Sequence, residues 1–314
     1  MKLEDIKRIA CIGGGVIGHS WACVFAQKGF EVRLMDVSRE NLDMVPDRIR
    51  ATYEIFIRKG LMTSEDLETA LNRIQRGTEL AWAVEGADYC IESVPEKVDL
   101  KKEVFGQMDR HAPKRAVLAS STSGQSITEI SKATARPEQC VIVHPANPPH
   151  IIPAIEVVRG EKTSDETLNL SLELLHKIGR KTYVCRKEVP GFIFNRLQCA
   201  VFREAMSLLQ KGAATVEDID TAVNSALGVR YSLLGPFETF NLTAFGGIEV
   251  FFKNYAGFLR QIWSDLDDMK EVPPDLAEAA VAGVKAELKG RSQEEIIKWR
   301  DEKLLEVLEV RGMI

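Results

Sequence analysis

Residues 8–36 restrict the fold of this chain more than any other stretch. The apolar run RIACI meets Gly13-Gly14-Gly15-Val16-Ile17-Gly18, a helical pattern follows in HSWACVFAQKGF, and a second apolar run, EVRLMD, ends on Asp36. A glycine triplet alone says little. The order strand, GxGxxG, helix, strand, acid describes a βαβ unit with a dinucleotide-binding turn. Gly13 permits the tight turn, Gly15 lets the backbone approach a pyrophosphate, and Gly18 lets the helix pack closely on the strand. The first amides of that helix, Val16 and Ile17 among them, and the helix dipole favour a bound anion. Asp36 is placed to accept from the adenosine ribose hydroxyls and to repel a 2′-phosphate, which favours NAD over NADP; Arg39 lies close enough to soften that preference. The competing reading is a glycine-rich turn without a ligand.

The remainder of the first half alternates. Residues 39–77 predict a pair of amphipathic helices, the second capped by Thr63 or Ser64. A short strand near 74–78 and a short helix over 80–86 follow. ADYCIESVPE predicts a strand ending in Glu92 and Glu96, LKKEVFGQMDRHA a helix, AVLASSTS a strand running out at Thr122-Ser123, SITEISKAT a helix and CVIVHPANPP another strand. Such alternation implies a largely parallel sheet covered by helices on both faces. Ligands of these sheets lie beyond the carboxyl ends of the strands, so Asp36, Glu96, Ser123 and His144 should converge on one crevice. IIPAIEVVRG and KTYVCRKE read as closing strands whose sense the sequence does not reveal. From Pro190 onward strand patterns stop. PGFIFNRLQCAVFREAMSLLQKG predicts a long helix with Pro190 near its start, and TVEDIDTAVNSALG another capped by Thr215. The expected organisation is an α/β Rossmann-type N-terminal domain with a mostly parallel sheet over 1–189, followed by an all-α C-terminal domain over 190–314.

A net charge of −5 gives no broad footprint for nucleic acid or an anionic membrane. The six cysteines form no CxxC pair and lack zinc-ligand spacing, so buried free thiols, no metal and a reducing compartment are expected. The apolar run after the N-terminal charges breaks at glycine too early for a signal peptide, and no run approaches the roughly 20 residues that span a bilayer. A cytoplasmic protein follows.

The stretch VIVHPANPPHIIPAIE carries the chemistry. His144 leaves an apolar strand and enters a proline-stiffened loop. Glu156 returns inside the apolar run IIPAIEVV, where a carboxylate needs a partner. A histidine held by a carboxylate is a general base with a fixed tautomer; the alternative is two separate, satisfied polar groups. With the dinucleotide unit upstream, Ser123, His144, Glu156 and Asn195 read as hydride-transfer machinery. His144 takes the hydroxyl proton, Glu156 orients the imidazole, and Ser123 and Asn195 bind the substrate oxygen. A serine-hydrolase reading fails because Ser123 is not in a G-x-S-x-G elbow. His150 is expected at the surface, the alternative being that it faces the pocket from the loop, and His19 either touches the cofactor or packs within its helix.

GGGVIG with Asp36, CIESVPE followed by Lys101, SSTSGQSIT, VHPANPPHIIPAIEVV and VPGFIFNRL resemble, in order, the motifs of the L-3-hydroxyacyl-CoA dehydrogenase family. The resemblance covers nearly the whole chain. It implies Ser123, His144, Glu156 and Asn195 as the active-site set, Glu96 and Lys101 near the nicotinamide end of the cofactor or the substrate entrance, and a homodimer assembled through the helical domain. The chain departs from the fatty-acid members at Ser121-Thr122-Ser123-Gly124, at His144-Pro145-Ala146-Asn147-Pro148-Pro149 and at Gly228-Val229-Arg230-Tyr231. These features are similar to the lambda-crystallin and L-gulonate 3-dehydrogenase branch; the NPPHIIP-IEV run also resembles a bacterial pyridine-carboxylate dehydrogenase. Arg230, from this chain or the partner subunit, then becomes the expected grip on a substrate carboxylate, with Tyr231 helping to shape the pocket, the alternative being a surface arginine in a helix-ending loop. The expected reaction is NAD-dependent oxidation of a small polar 3-hydroxy acid. The competitors are a 3-hydroxybutyryl-CoA-type dehydrogenase and a non-catalytic, crystallin-like protein that kept the fold.

Overall fold

The computed structural model describes residues 1–314. Eight strands form one sheet in the order β3-β2-β1-β4-β5-β6-β7-β8: β1 Arg8–Ile12, β2 Glu31–Met35, β3 Ile74–Gly77, β4 Tyr89–Glu92, β5 Val117–Ser120, β6 Cys140–Pro145, β7 Ala154–Val158 and β8 Lys181–Cys185. All neighbours from β3 to β6 are parallel. β4, β5 and β6 are buried at every position, as their unbroken apolar runs require when helices cover both faces. The chain moves outward from β1 through β2 and β3, then returns to the other side of β1 as β4. That reversal opens the crevice in which such sheets hold ligands.

β7 runs antiparallel to β6, with His144 opposite Glu156. β8 is parallel to β7. The sheet is therefore mostly parallel, with two reversed strands at one edge.

The helices of this half are α1 Val16–Gln27, α2 Arg39–Asp43, α3 Val45–Arg58, α4 Ser64–Asn72, α5 Leu80–Val84, α6 Val98–His111, α7 Ile127–Ser131 and α8 Asp165–Lys177. Residues 39–72 thus hold three helices rather than the expected pair. Ser38 caps α2 through the amide of Asn41, and Thr63 with Asp66 forms a capping box on α4. One core lies on the α1, α3 and α8 face, around Trp21, Phe25, Ile49, Tyr53 and Leu174. The other lies on the α5, α6 and α7 face, around Leu80, Phe105, Met108 and Ile130.

α9 spans Phe194–Gln210, so the helix expected from Pro190 starts later. Gly191 and Phe192 have φ of 76° and 53°, a left-handed turn that cannot belong to a right-handed helix. For a phenylalanine this conformation costs on the order of 1–3 kcal/mol, and it persists because the ring is buried.

The chain forms two compact units. One comprises Met1–Arg196 with Asp301–Glu306 and Met313; the other comprises Leu197–Arg300 with Val307–Gly312 and Ile314. Beyond α9, the remaining elements are all helical: α10 Val216–Ala222, a π-helical turn Val223–Gly228, α11 Val229–Tyr231, α12 Pro236–Asn241, α13 Gly247–Asp265, α14 Pro274–Leu288 and α15 Gln293–Val310. Phe251 of α13 packs on Phe240 and Tyr255, with ring centroids 5.0 and 5.2 Å away. Gly283 lets α14 approach α10, since a Cβ there would lie 2.3 Å from Val216. Five cysteines are buried free thiols, and Cys199 is exposed on α9. No helix is long and apolar enough to cross a membrane.

Candidate active site

The glycine loop between β1 and α1 is built as a cradle. Gly13 has φ of 105°, and a Cβ on it would lie 2.7 Å from the carbonyl oxygen of Ser93. A Cβ on Gly18 would fall 1.7 Å from the carbonyl oxygen of Gly13, whereas one on Gly15 would meet nothing within 4 Å. Gly13 and Gly18 are therefore glycine to let the loop close on itself, and Gly15 leaves open the face above the N-terminus of α1. Val16 is exposed on that face. Beside it a cavity of about 730 Å³ is lined by Gly13, Gly15, Asp36, Asn41, Ser93 and Val94, among others. This cradle, with Asp36 at its edge, fits a dinucleotide. Asp36 accepts from the Gly14 amide at 2.7 Å and the Ser38 amide at 2.9 Å. Arg39 pairs with Asp43 at the surface instead. His19 is buried beneath the loop, where burial above all keeps its pKa low, with the charge of Arg48 adding to the effect.

Glu96 and Lys101 lie beside the turn that follows β5. Lys101 is 1% exposed. Its ammonium donates to Glu92 at 2.9 Å and to the Val94 carbonyl at 3.2 Å, and it pairs with Glu96 at 3.1 Å. Three protein oxygens thus surround the ammonium. The other oxygen of Glu96 accepts from the Thr122 hydroxyl and from the Ser123 and Gly124 amides. Both side chains are engaged within the protein, and Glu96 holds the turn that carries Ser123. Burial raises the Glu96 carboxyl, but the Thr122 hydroxyl, the Lys101 ammonium and the Gly124 amide outweigh it and keep its pKa below the usual carboxylate value.

The turn held by Glu96 meets the segment entering α9, where Asn195 donates its amide to the Ser123 carbonyl at 2.8 Å. One residue earlier, Phe194 lies against the His144 ring with centroids 6.2 Å apart, and Phe192 approaches edge-on at 6.0 Å. His144 is 5% exposed and Glu156 fully buried. Nδ1 of His144 lies 3.2 Å from one Glu156 oxygen, and the Ile193 amide donates to the other at 2.6 Å. A carboxylate only accepts, so the proton sits on Nδ1 and the lone pair of Nε2 is left for another proton. The structure thus links Ser123, His144, Glu156 and Asn195 through β5, β6, β7 and the start of α9, all within one compact unit.

His150 is not the surface residue expected. It is half-buried against Tyr53 and Phe56 of α3, with centroids 6.0 and 6.3 Å away. Arg230 belongs to the other unit. It lies on α11 rather than in a loop and is exposed. With Val229, Leu233, Leu234, Thr239, Leu242 and Thr243 it lines a cavity of about 300 Å³. Thr239 is 95% buried by its 5% exposure, yet its hydroxyl has no partner. Asn41 has one sequence signal, its place in the first turn after the Ser38 cap, and Thr239 has none.

The 3-hydroxyacyl-CoA dehydrogenase NAD binding domain model matches residues 8–189, and the 3-hydroxyacyl-CoA dehydrogenase C-terminal domain model matches residues 191–288. An L-carnitine dehydrogenase of Streptomyces coelicolor is 35% identical over 312 residues, covering 99% of this chain and 96% of the relative. A lambda-crystallin homolog of Homo sapiens is 32% identical over 314 residues, covering 98% and 97%. Among solved structures, 5-formyl-3-hydroxy-2-methylpyridine 4-carboxylic acid 5-dehydrogenase, described as an NAD⁺-dependent dismutase, superposes with a TM-score of 0.81 at 30% identity, over 98% of this chain and 97% of that one.

The lowered pKa of Glu96 has a consequence for stability. Because its folded value lies below its unfolded one, its contribution is complete above the unfolded value and is lost as pH falls through the folded value. Thermal melts should therefore fall more steeply for wild type than for Glu96→Gln between about pH 5 and pH 3. Parallel curves would contradict the assigned contacts.

Proposed function

We propose for this chain, which belongs to the 3-hydroxyacyl-CoA dehydrogenase family and is an NAD-dependent oxidoreductase, the oxidation of a small polar 3-hydroxy acid to the keto acid. The observation that carries the proposal is the buried His144–Glu156 pair, with Nε2 free to act, beside the Ser123–Asn195 contact. The residues 13–18 and Asp36 hold NAD, which when bound supplies the hydride acceptor. Nε2 of His144 takes the hydroxyl proton as the carbon–hydrogen bond breaks. Glu156 holds the ring in the productive tautomer and stabilises the imidazolium that forms. The Ser123 hydroxyl and the free amide hydrogen of Asn195 hold the substrate oxygen. General-base help of this kind contributes on the order of 10²–10⁴ in rate.

A free acid is favoured over a CoA thioester by two features. Relatives with L-carnitine dehydrogenase names match over nearly the full chain, and the Arg230 cavity offers an exposed guanidinium with no acidic partner. We assign Arg230, from this chain or from a partner subunit, to the substrate carboxylate, held as a two-pronged pair. The loop Ala146–Pro153, which departs from the acyl-CoA pattern next to His144, is the second place where substrate choice is set. A CoA thioester substrate is the alternative that the family name favours. The NAD-binding domain is taken as 1–189 and the helical substrate and dimerisation domain as 190–314. The helical part exposes Phe252, Phe258, Ile262 and Trp263 along α13, a face suited to a second copy of the chain. The buried free thiols favour a reducing compartment such as the cytoplasm.

L-gulonate, 3-hydroxybutyrate, carnitine and 3-hydroxybutyryl-CoA, each assayed with NAD by NADH absorbance, decide the substrate class. At least one free acid should turn over with kcat/KM well above that of the thioester; the reverse order would give the reaction to the alternative. With the preferred substrate, His144→Gln should lower kcat by about 10²–10⁴ while leaving NADH affinity within about twofold. Arg230→Met should raise KM roughly tenfold or more, as expected for loss of a charge-assisted pair, and an unchanged KM would remove Arg230 from the site.

A further inference from the structure

Behind Asp36 lies an ordered chain of side chains. Asn41 donates its amide to Oδ2 of Asp36 at 2.9 Å, and its carbonyl accepts from Nη1 of Arg48 at 2.5 Å. The polarity of this chain is forced. A guanidinium only donates and an ionised carboxylate only accepts, so the Asn41 amide satisfies both in a single orientation. The backbone of Asn41 is fixed as well, since its amide donates to the Ser38 hydroxyl at 3.1 Å while the Ser38 amide donates to Oδ1 of Asp36 at 2.9 Å. The seat is tight. A Cβ on Gly14 would lie 3.2 Å from the Asp36 carboxylate and 3.4 Å from the Asn41 amide nitrogen. Gly14 is not one of the three glycines that the dinucleotide turn requires, and this crowding gives it a reason of its own.

Asp36 and Asn41 both line the cavity of about 730 Å³ beside the glycine loop. The other charged residues on its wall are Glu79 and Glu103; no lysine or arginine lines it. Arg48 is not on that wall; its guanidinium donates to the Asn41 carbonyl instead.

We propose that Asn41, oriented by Arg48, is a specificity-determining residue that fixes Asp36 for the unphosphorylated adenosine ribose and keeps the Arg48 guanidinium from a 2′-phosphate. The inference rests on the reading of Asp36 as the ribose acceptor. Asn41 and Gly14 saturate one carboxylate oxygen and leave Oδ1 room to accept from the ribose diol. Loss of the Asn41 side chain loosens Asp36 and at the same time frees a cation next to the ribose. NADH affinity should fall and NADPH affinity should rise, a pattern that general loosening of the loop does not produce.

NADH and NADPH titrations followed by nucleotide fluorescence test this without any substrate. Asn41→Leu should weaken NADH roughly tenfold, the effect of losing a hydrogen bond to a charged group, and should tighten NADPH, shifting the ratio of the two dissociation constants by more than that factor. Asn41→Ser should give the same pattern in a smaller substitution should the leucine fail to fold. Adding Arg48→Met to either variant should abolish the NADPH gain while the NADH loss remains. Asp36→Ser separates the inference from its premise. If Asp36→Ser weakens NADH but a folded Asn41 variant leaves both affinities unchanged, or changes both by the same factor, Asn41 has no part in selectivity. If Asp36→Ser leaves NADH binding intact, the ribose reading fails and the proposal fails with it.

Discussion

His144 and Glu156 face one another because β7 runs against β6, so that residues twelve apart in sequence become cross-strand partners. In a purely parallel sheet a crossover of a dozen or more residues would separate neighbouring strands, and the short loop 146–153 could not return a carboxylate to the histidine at the end of the preceding strand. A fully buried carboxylate is costly unless its lone pairs are satisfied. Glu156 meets that demand with the imidazole on one oxygen and the Ile193 amide on the other. The second contact requires the left-handed turn at Gly191 and Phe192. The same turn sets Phe192 and Phe194 against the imidazole and brings Asn195 to Ser123. The reversed strand, the strained turn and the start of α9 are therefore parts of one arrangement.

A second buried network supports the other side of the site. Glu92, Lys101 and Glu96 join β4, α6 and the turn after β5. The hydroxyl of Ser120 donates to Glu92 at 2.7 Å, and Glu96 carries the turn amides. Removing one member of such a group leaves another buried and unpaired, which is far more damaging than the net contribution of the group suggests. Rigidity around Ser123 comes from this cluster together with the Asn195 contact.

Legibility in the sequence followed the range of the interactions. The βαβ unit of residues 8–36 was readable because its glycines, helix and acid act locally and at fixed spacing. The alternation to residue 185 and the helical remainder were readable from periodicity, and the resemblance in motif order pointed to Ser123, His144, Glu156 and Asn195 as the proposed site. What sequence could not supply was the sense of β7, since apolar runs pair in either direction. Nor could it supply side-chain direction. Nothing in the local sequence shows that the Lys101 ammonium turns inward to Glu92, Val94 and Glu96. His150 looked like a loop-surface residue until the loop folded onto Tyr53 and Phe56. Asn41 carried no motif, because its meaning comes from Arg48 seven residues further along, on the next helix, and from Asp36 across the loop.

The central claim is that Glu156 makes His144 a base by holding its tautomer and stabilising its charged form. The most direct measurement is kcat of Glu156→Gln at saturating NAD and substrate, paired with NADH affinity of the same protein. Glutamine preserves shape and a hydrogen-bonding oxygen but not charge. The account expects kcat to fall by about 10²-fold or more with NADH affinity within about twofold of wild type. A folded variant whose kcat stays within a few-fold of wild type would contradict it.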